Sequence, residues 1–250
     1  MTKTIGFIGT GLIGSALGRL AVAAGLDVVL SNSRGPATLA DLVAELGEHA
    51  RAATPAEAAR SGDLVVATIP LGAYTQLPAA ALAGKIVIDT MNYYPQRDGQ
   101  LAELDTDELT SSELVQRHLA GARLVKAFNN VDHARLASRA RPAGAPDRSA
   151  LPVAGNDEAA KAEVAQLLDL LGYDAVDIGT LAGSWRSEPK TPIYVLPYAP
   201  PIPEDLTLPD AQRLFFEAPG NPVSADRVKE LVSAAVRGPA GGYIPTLADS

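Results

Sequence analysis

The chain has 250 residues, of which 47% are hydrophobic and 20% charged, with a net charge of −8 and no cysteine. This length and composition predict one large globular domain, or one medium domain with a small appendage, that needs no disulfide. The missing cysteines exclude thiolate catalysis and iron–sulfur clusters, the absence of a basic cluster argues against nucleic acid, and no apolar run is long enough to span a bilayer.

Short apolar runs alternate with helical patterns as far as Gly179. The predicted strands are Thr4–Ile8, Asp27–Ser31, Ala50–Ala53, Leu64–Ile69, Lys85–Asp89, Arg123–Phe128, Leu151–Ala154 and Ala175–Ile178. The predicted helices between them include Ile13–Ala24, Thr38–Leu46 and Glu158–Leu171. Such alternation is typical of the α/β class and predicts a doubly wound, mostly parallel sheet, the Rossmann fold. Because Met1–Thr4 leads straight into the first strand, we expect no signal peptide, no membrane association and a cytoplasmic location.

The pattern changes after Gly179, where the chain becomes rich in proline. Prolines at this density exclude long helices and central strands, so only two short helices are predicted, Asp210–Glu217 and Ala225–Val236. The sequence therefore predicts a dinucleotide-binding domain over residues 1–179. Residues 180–250 are predicted to form a small C-terminal unit that serves the acceptor site, dimerisation or both.

A glycine-rich run follows the first strand and opens the first helix: Gly9, Thr10, Gly11, Leu12, Ile13 and Gly14. Gly9 permits the tight turn, Gly11 lets the backbone approach a pyrophosphate, and Gly14 lets helix and strand pack closely. The helix N-terminus then offers N–H groups to the phosphates. The run predicts a dinucleotide site; a glycine turn without a ligand is the alternative.

The second strand ends where NAD enzymes place an acid for the ribose 2′-hydroxyl, and here the residues are Ser31, Asn32, Ser33 and Arg34. An acid would repel a 2′-phosphate, whereas hydroxyls and a guanidinium would bind it. We therefore expect the cofactor to be NADP(H), with a surface arginine in an ordinary turn as the alternative. Ile69 and Pro70 end another strand at the same edge and are expected to line the cofactor, although a simple strand-to-loop proline would look the same.

The usual catalytic constellations are missing. His49, His118 and His133 are scattered without ligand spacing, so we expect no metal site. No Tyr-Lys or His-Asp pairing stands out as a proton donor for a carbonyl. Transfer of hydride to a flavin-type ring asks less of the protein, which mainly has to position the ring.

Several segments together resemble the coenzyme F420-dependent NADP oxidoreductases, and also the cytosolic oxidoreductase domain of the six-transmembrane (STEAP-type) metalloreductases. They are Gly9–Gly14, Asn32–Arg34, Asp89–Asn92, Val125–Asn129, Ala154–Asp157 and Asp177–Leu181, with Thr191-Pro192 further on. The resemblance runs from Thr4 to about Tyr194, and the residues beyond Tyr194 match neither group.

The resemblance implies exchange of hydride between NADP(H) and a deazaflavin (F420) or a flavin that stacks near the nicotinamide. It places Asn92 and Phe128-Asn129-Asn130 beside the rings, with Asn92 and Asn129 as the catalytic residues and Asn92, Phe128 and Asn129 also touching the cofactor. The alternative is that these asparagines satisfy local turns. Lys126 is either a solvated strand residue or part of the site.

Two other functions remain open. One is an NADPH-dependent reductase of an imine or small carbonyl, and the other is a module that binds or senses NADP(H) without chemistry. If the protein is an enzyme, its partner is a small-molecule hydride acceptor. We also expect a homodimer, because most soluble oligomers are homodimers.

Overall fold

An eight-stranded sheet lies at the centre of the part of the chain that the computed structural model describes, residues 3–203 and 205–243. Its strands are β1 (Thr4–Ile8), β2 (Asp27–Ser31), β3 (Ala50–Ala52), β4 (Leu64–Ala67), β5 (Ile86–Asp89), β6 (Arg123–Lys126), β7 (Ala150–Gly155) and β8 (Asp174–Asp177). They lie in the order β3-β2-β1-β4-β5-β6-β7-β8. The strand order reverses between β1 and β4, which is the topological switch point of a doubly wound sheet. The predicted fold class is confirmed.

The α-helices of the described residues are mostly short. They are α1 (Leu12–Ala23), α2 (Ala40–Leu46), α3 (Pro55–Ser61), α4 (Ala79–Leu82), α5 (Pro95–Asp98), α6 (Ala102–Asp105), α7 (Ser111–His118), α8 (His133–Ser138), α9 (Glu158–Leu170), α10 (Leu208–Glu217) and α11 (Ala225–Ser233). Five 3₁₀ segments join them: Pro36–Leu39, Gly47–His49, Leu71–Gln76, Leu181–Ser187 and Leu196–Tyr198. None of these helices combines the length and the apolar character that a bilayer-spanning helix needs.

The sheet is covered on both faces, as β4 shows. All four of its residues are buried. Leu64 and Val66 point into a hydrophobic cluster that also contains Leu17 of α1, whereas Val65 and Ala67 point into a second cluster with Leu114 of α7. A strand buried on both faces reads as a continuous apolar run, which is why the sequence pattern identified it.

The strands do not all run in one direction. β1 to β6 are parallel, but β7 pairs antiparallel with β6, with Val125 opposite Gly155 and Lys126 opposite Ala154. β8 is again parallel to β7. The carboxyl ends of β1 to β6 therefore meet at one edge of the sheet, called here the ligand edge, and β7 and β8 end at the opposite edge.

Most predicted boundaries agree with the structure within two residues, and two differences matter for the site. β4 ends at Ala67 and not at Ile69, because Pro70 has no N–H to continue a ladder. β6 ends at Lys126 and not at Phe128, because Phe128 adopts a left-handed backbone with φ +60°. Both chain segments turn away from the sheet at the ligand edge.

The proline-rich C-terminal part packs on the sheet. Its residues Ile193, Tyr198, Val223 and Val228 belong to the same buried cluster as the residues of β1 and β7. Tyr198 also donates its hydroxyl to the backbone oxygen of Ala150 in β7, at 2.8 Å. The division at residue 179 remains a prediction about sequence units, while the core of the molecule is continuous across it.

Candidate active site

The glycine turn is closed by backbone contacts. Gly9 has φ +97°, and a Cβ there would lie 2.3 Å from the backbone oxygen of Thr68. A Cβ on Gly14 would lie 2.4 Å from the backbone oxygen of Gly9. Neither position has room for a side chain, so both glycines are required by packing. The side chain of Ile69 lies against the same turn, since its Cγ2 would be 2.9 Å from a Cβ on Gly9.

Gly11 is different, because a Cβ there would meet nothing within 4 Å. It sits at the N-cap of α1 with extended backbone, and no side chain caps the helix. Leu12 is 69% exposed and Ile13 is half-buried, so the first helical turn opens to the surface. This open space in front of free N–H groups is where a pyrophosphate fits. Thr10 supports the turn, as its hydroxyl donates to the backbone oxygen of Ser31 at 2.9 Å.

The structure corrects the role predicted for the Ser31 side chain. Ser31 is fully buried, and its hydroxyl donates to the backbone oxygen of Phe7 at 2.6 Å. The backbone oxygen of Ser31 also accepts a hydrogen bond from the N–H of Gly9. The side chain therefore ties β2 to β1 beneath the turn and does not face a 2′-phosphate.

The next three residues do face outward. Asn32 is half-buried and shapes the loop, because its Oδ1 accepts from the N–H of Arg34 at 3.0 Å and its Nδ2 donates to Thr38. Ser33 and Arg34 are exposed, and the Arg34 guanidinium has no hydrogen-bond or ion-pair partner among residues 3–203 and 205–243. A free guanidinium with no acid on this loop fits a 2′-phosphate, so the residues present are suited to NADP(H). Pro70 is exposed at the same edge, beside the turn.

Asn92 and Asn129, predicted to touch the rings, are brought together. They follow β5 and β6 and bond to each other: Asn129 Nδ2 donates to Asn92 Oδ1 at 3.1 Å, and Asn92 Nδ2 donates to the backbone oxygen of Asn129 at 2.8 Å. Asn92 is half-buried and also donates to the Tyr194 hydroxyl at 3.4 Å. Asn92 thus remains a candidate for ligand contact at this edge.

The structure corrects the ring contacts predicted for Asn129 and Phe128. Asn129 is only 4% exposed, and its amide donates to the backbone oxygen of Ser187 at 2.8 Å and accepts from the Ser187 hydroxyl. Its hydrogen bonds are used inside the protein, so it positions the C-terminal segment and does not present its amide to a ring. Phe128 is 1% exposed and packs in the core with Leu17, so its ring cannot stack on a ligand. The neighbouring Asn130 is fully buried as well.

Two tyrosines that are distant in sequence share a hydrogen bond at this edge. The hydroxyls of Tyr94 and Tyr194 are in direct hydrogen-bond contact, and both residues are half-buried. Burial raises the pKa of the Tyr94 hydroxyl and of the Tyr194 hydroxyl, so both are protonated at neutral pH. No local sequence pattern indicates this proton donor, because 100 residues separate the two tyrosines.

Beneath the site lies a buried ion pair that the sequence analysis left undecided. Lys126 is 1% exposed, and its ammonium contacts Asp89 at 3.2 Å, the Ser111 hydroxyl at 3.1 Å and the backbone oxygen of Met91. The Asp89 carboxylate also accepts from the Ser112 hydroxyl at 2.7 Å and from the N–H of Met91 at 2.8 Å. Each charge is fully bonded, as a buried pair requires. Lys126 therefore supports the segment that carries Asn92 and is not a solvated residue.

Glu188 ties the C-terminal part to the same network. Its carboxylate accepts from the hydroxyl of Ser111 at 2.6 Å and from its N–H at 3.3 Å, at the first residue of α7. A carboxylate at a helix N-terminus is favourable because of the helix dipole. Within the described part of the chain, no group of three or more histidine or acidic side chains is placed to hold a metal ion.

Comparison with known proteins agrees with this geometry. Residues 4–93 match the family model described as NADP oxidoreductase, coenzyme F420-dependent. The F420-dependent NADP reductase of Methanocaldococcus jannaschii is 32% identical over 157 residues, which are 56% of this chain and 63% of that protein. The chain therefore spans less than two thirds of that relative.

Two solved structures are similar over more of their length. A hypothetical protein, SMa0349 of Sinorhizobium meliloti, is 32% identical with a TM-score of 0.68, and the match covers 78% of this chain and 94% of that one. A proposed F420-dependent NADP reductase of Arthrobacter sp. FB24 is 29% identical with a TM-score of 0.62, covering 74% and 87%. Sequence, fold and the glycine turn agree, and the chain belongs to the family of coenzyme F420-dependent NADP oxidoreductases.

Proposed function

We propose that this chain is an NADP(H)-dependent oxidoreductase that transfers hydride between NADPH and a deazaflavin (F420) or flavin ring. The observation that carries the proposal is the exposed Arg34 guanidinium, which has no partner in the described part of the chain and lies on the loop after β2, next to a glycine turn with open space in front of Gly11. These two features together suit a dinucleotide with a 2′-phosphate.

Each end of the cofactor has its own residues. The N–H groups at the start of α1 hold the pyrophosphate, and Arg34 with Ser33 and Asn32 holds the 2′-phosphate. Ile69 and Pro70 form the wall beside the turn. When bound, NADPH supplies the hydride, and the protein positions the acceptor against it.

The acceptor is assigned to the ligand edge at the ends of β5 and β6. Asn92, Tyr94 and Tyr194 are half-buried there and carry hydrogen-bonding groups. Amide and hydroxyl groups of this kind suit the carbonyl and nitrogen edge of a deazaflavin or flavin ring. The names of the relatives from Methanocaldococcus and Arthrobacter support the same class of acceptor.

One observation favours a second candidate, the reduction of an imine or a small carbonyl. Such a substrate needs a proton donor beside the hydride acceptor, and the tyrosine pair offers protonated hydroxyls. The two candidates share the cofactor site and differ only in the acceptor.

Anaerobic mixing of the protein with NADPH and each acceptor in turn tests the proposal. We expect oxidation of NADPH, followed by absorbance, with F420 or a flavin, and none with the Gly11→Val variant as control. Turnover with an imine or carbonyl alone would favour the second candidate. NADPH binding without turnover of any acceptor would leave a binding module.

We also propose that two copies of the chain associate. Leu196, Leu208 and Phe216 in the C-terminal part are large apolar side chains that are 78%, 52% and 54% exposed. Contiguous apolar patches mark interfaces, so this exposure supports the proposal together with the base rate for soluble oligomers. Light scattering after gel filtration should give twice the mass of 25.9 kDa, and a monomer at all concentrations would contradict this.

A further inference from the structure

We infer that the hydroxyl pair of Tyr94 and Tyr194 donates the proton that accompanies hydride transfer to the acceptor. This inference rests on the proposed function and adds a catalytic group to it. The pair lies at the ligand edge, where Asn92 Nδ2 donates to the Tyr194 oxygen.

A proton is needed because reduction of a deazaflavin or flavin ring adds two hydrogens. The hydride carries both electrons, and the second hydrogen arrives as a proton on a ring nitrogen. NADP⁺ is the oxidised product. In the proposed step the O–H bond of one tyrosine breaks, its electron pair stays on the phenol oxygen, and the proton goes to the acceptor. Solvent then returns a proton to the tyrosine.

The count of hydrogen bonds shows that one proton is available. The two hydroxyls carry two protons, and the contact between them uses one. Asn92 contributes a donor and not an acceptor. Within the described residues no further acceptor is recorded for the pair, so one hydroxyl proton is left to face a ligand.

Other buried tyrosines lack this property. Tyr173 donates its hydroxyl to the backbone oxygens of Arg135 and Leu136, at 3.0 and 2.8 Å. Tyr198 donates to the backbone oxygen of Ala150. Their protons are used in holding elements together, whereas the second proton of the Tyr94–Tyr194 pair has no acceptor among the residues that the structure describes.

The backbone around the pair is built to hold it. Val195, next to Tyr194, has φ +54°, which is strained for a β-branched residue, and its N–H is fixed by the backbone oxygen of Asn130 at 2.9 Å. Strain of this kind concentrates at functional sites. Gly242 packs against the Tyr94 ring so closely that a Cβ there would lie 2.6 Å from Cε1 of the ring.

Burial keeps the pair protonated, and the charges that face it modify this effect. The Arg97 guanidinium lies 5.0 Å from the centre of the Tyr94 ring, and Asp98 accepts from the N–H of Tyr94. The negative charge of Asp132 adds to the rise in the pKa of the Tyr194 hydroxyl. Burial raises the pKa of each hydroxyl by more than the positive charge of Arg97 lowers it, so both pKa values lie above the ordinary value. A positive nicotinamide ring nearby would stabilise a phenolate, which couples proton release to hydride departure.

The test compares Tyr194→Phe and Tyr94→Phe with Tyr173→Phe, a buried hydroxyl outside the site. We expect Tyr194→Phe to slow acceptor reduction by about a hundredfold, within the range of general acid catalysis, and to lose the solvent isotope effect of the wild type. Tyr173→Phe should lower the melting temperature and keep the wild-type rate and isotope effect. Unchanged kinetics in both Tyr194→Phe and Tyr94→Phe would overturn the inference.

A second readout needs no turnover. In protein labelled with carbon-13 at tyrosine Cζ, NADP⁺ should lower the titration midpoint of the pair by about one pH unit or more, because an opposite charge stabilises the phenolate. NADPH should not have this effect, and Tyr94→Phe should lower the midpoint of Tyr194 in the free protein. No response to NADP⁺ would overturn the inference. A wild type that binds NADP⁺ and shows the shift but reduces no acceptor would count against the proposed function instead.

Discussion

The two halves of the candidate site are constructed differently. The nucleotide half consists of Gly9–Gly14, Ser31–Arg34 and Ile69–Pro70, and works mainly through backbone geometry: two glycines without room for a side chain, a third facing open space, and a free helix end. The acceptor half consists of Asn92, Tyr94, Asn129, Ser187 and Tyr194, joined by side-chain hydrogen bonds between distant segments. A change at Gly11 or Arg34 in the first should act on cofactor binding alone, and a change in the second should spread to its neighbours.

The strongest test of this contrast is Gly11→Val. The branched side chain would occupy the open space that the pyrophosphate needs, while the extended backbone of Gly11 accepts any residue. We expect no detectable NADPH binding by calorimetry and a normal melting temperature. Gly14→Val is the matched control, expected to misfold because its Cβ would meet the Gly9 oxygen. Retained NADPH binding by Gly11→Val would place the cofactor elsewhere.

The largest loss of stability is expected from Lys126→Met, in the buried ion pair that supports the acceptor half from below. It leaves the Asp89 carboxylate buried without its cation, which costs about 3–5 kcal/mol. For a chain of this size the melting temperature should fall by about 10 °C. The double variant Asp89→Asn/Lys126→Met should recover part of the loss. A melting temperature equal to that of the wild type in the single variant would show that the Lys126–Asp89 ion pair does not stabilise the fold.

Arg34→Ala isolates one contact of the nucleotide half. The loss of a charge-assisted hydrogen bond worth about 1.5–3 kcal/mol should weaken NADPH binding about ten- to a hundredfold. NADH binding should not change, because NADH has no 2′-phosphate. Arg213→Ala, an exposed arginine on α10, serves as control. Equal affinity of the wild type for NADPH and NADH would refute the assignment.

Asn129→Ala tests whether the acceptor half acts as a unit. The variant leaves the backbone oxygen of Ser187 and the Oδ1 of Asn92 without their hydrogen-bond donor, which costs about 1–3 kcal/mol in stability. We expect a rate of acceptor reduction about ten- to a hundredfold lower, because the residues around the ring shift. The NADPH dissociation constant should stay within a few-fold. A variant with weaker NADPH binding and normal turnover would reverse the roles of the two halves.

Alkaline pH should give the smallest effect, and it acts at Tyr173, outside both halves of the site. Burial raises the pKa of the Tyr173 hydroxyl, so the folded state keeps a proton that the unfolded chain releases above about pH 10. The stability from this group is present below pH 10 and declines as pH rises beyond it, by less than about 1 kcal/mol at pH 10.5. Thermal melts of wild type and Tyr173→Phe would show the difference in slope, and parallel slopes would contradict it.

The nucleotide half and the fold were readable from the sequence because their signals are local. The glycine spacing, the missing acid after β2 and the apolar runs each lie within one short segment. Two helices without predicted bounds, α3 and α7, had local signals too, since Thr54 with Glu57 and Thr110 with Glu113 form capping boxes.

The acceptor half could be predicted only in part: the resemblance implied Asn92 and Asn129, but the contacts that join this half are made only in three dimensions. Nothing near Tyr94 indicates that its hydroxyl meets that of Tyr194, and nothing near Asn129 indicates that Ser187 will bury it. The predicted role of the Ser31 side chain in binding a 2′-phosphate was wrong for another reason. Residues alternate between the faces of a strand, and a hydroxyl at the last strand position can point inward to a backbone oxygen.

The reversal of β7 has an electrostatic consequence. In a fully parallel sheet every crossover helix would point its positive end at the same edge and add to one field. Here α9 starts after Asp157, beyond the end of β7, so its positive end opens on the edge opposite to that of α1. Asp157 neutralises it locally by accepting the N–H of Ala160. An anionic group is therefore favoured at the uncapped N-terminus of α1, at the ligand edge, and not at the N-terminus of α9, which already carries a carboxylate.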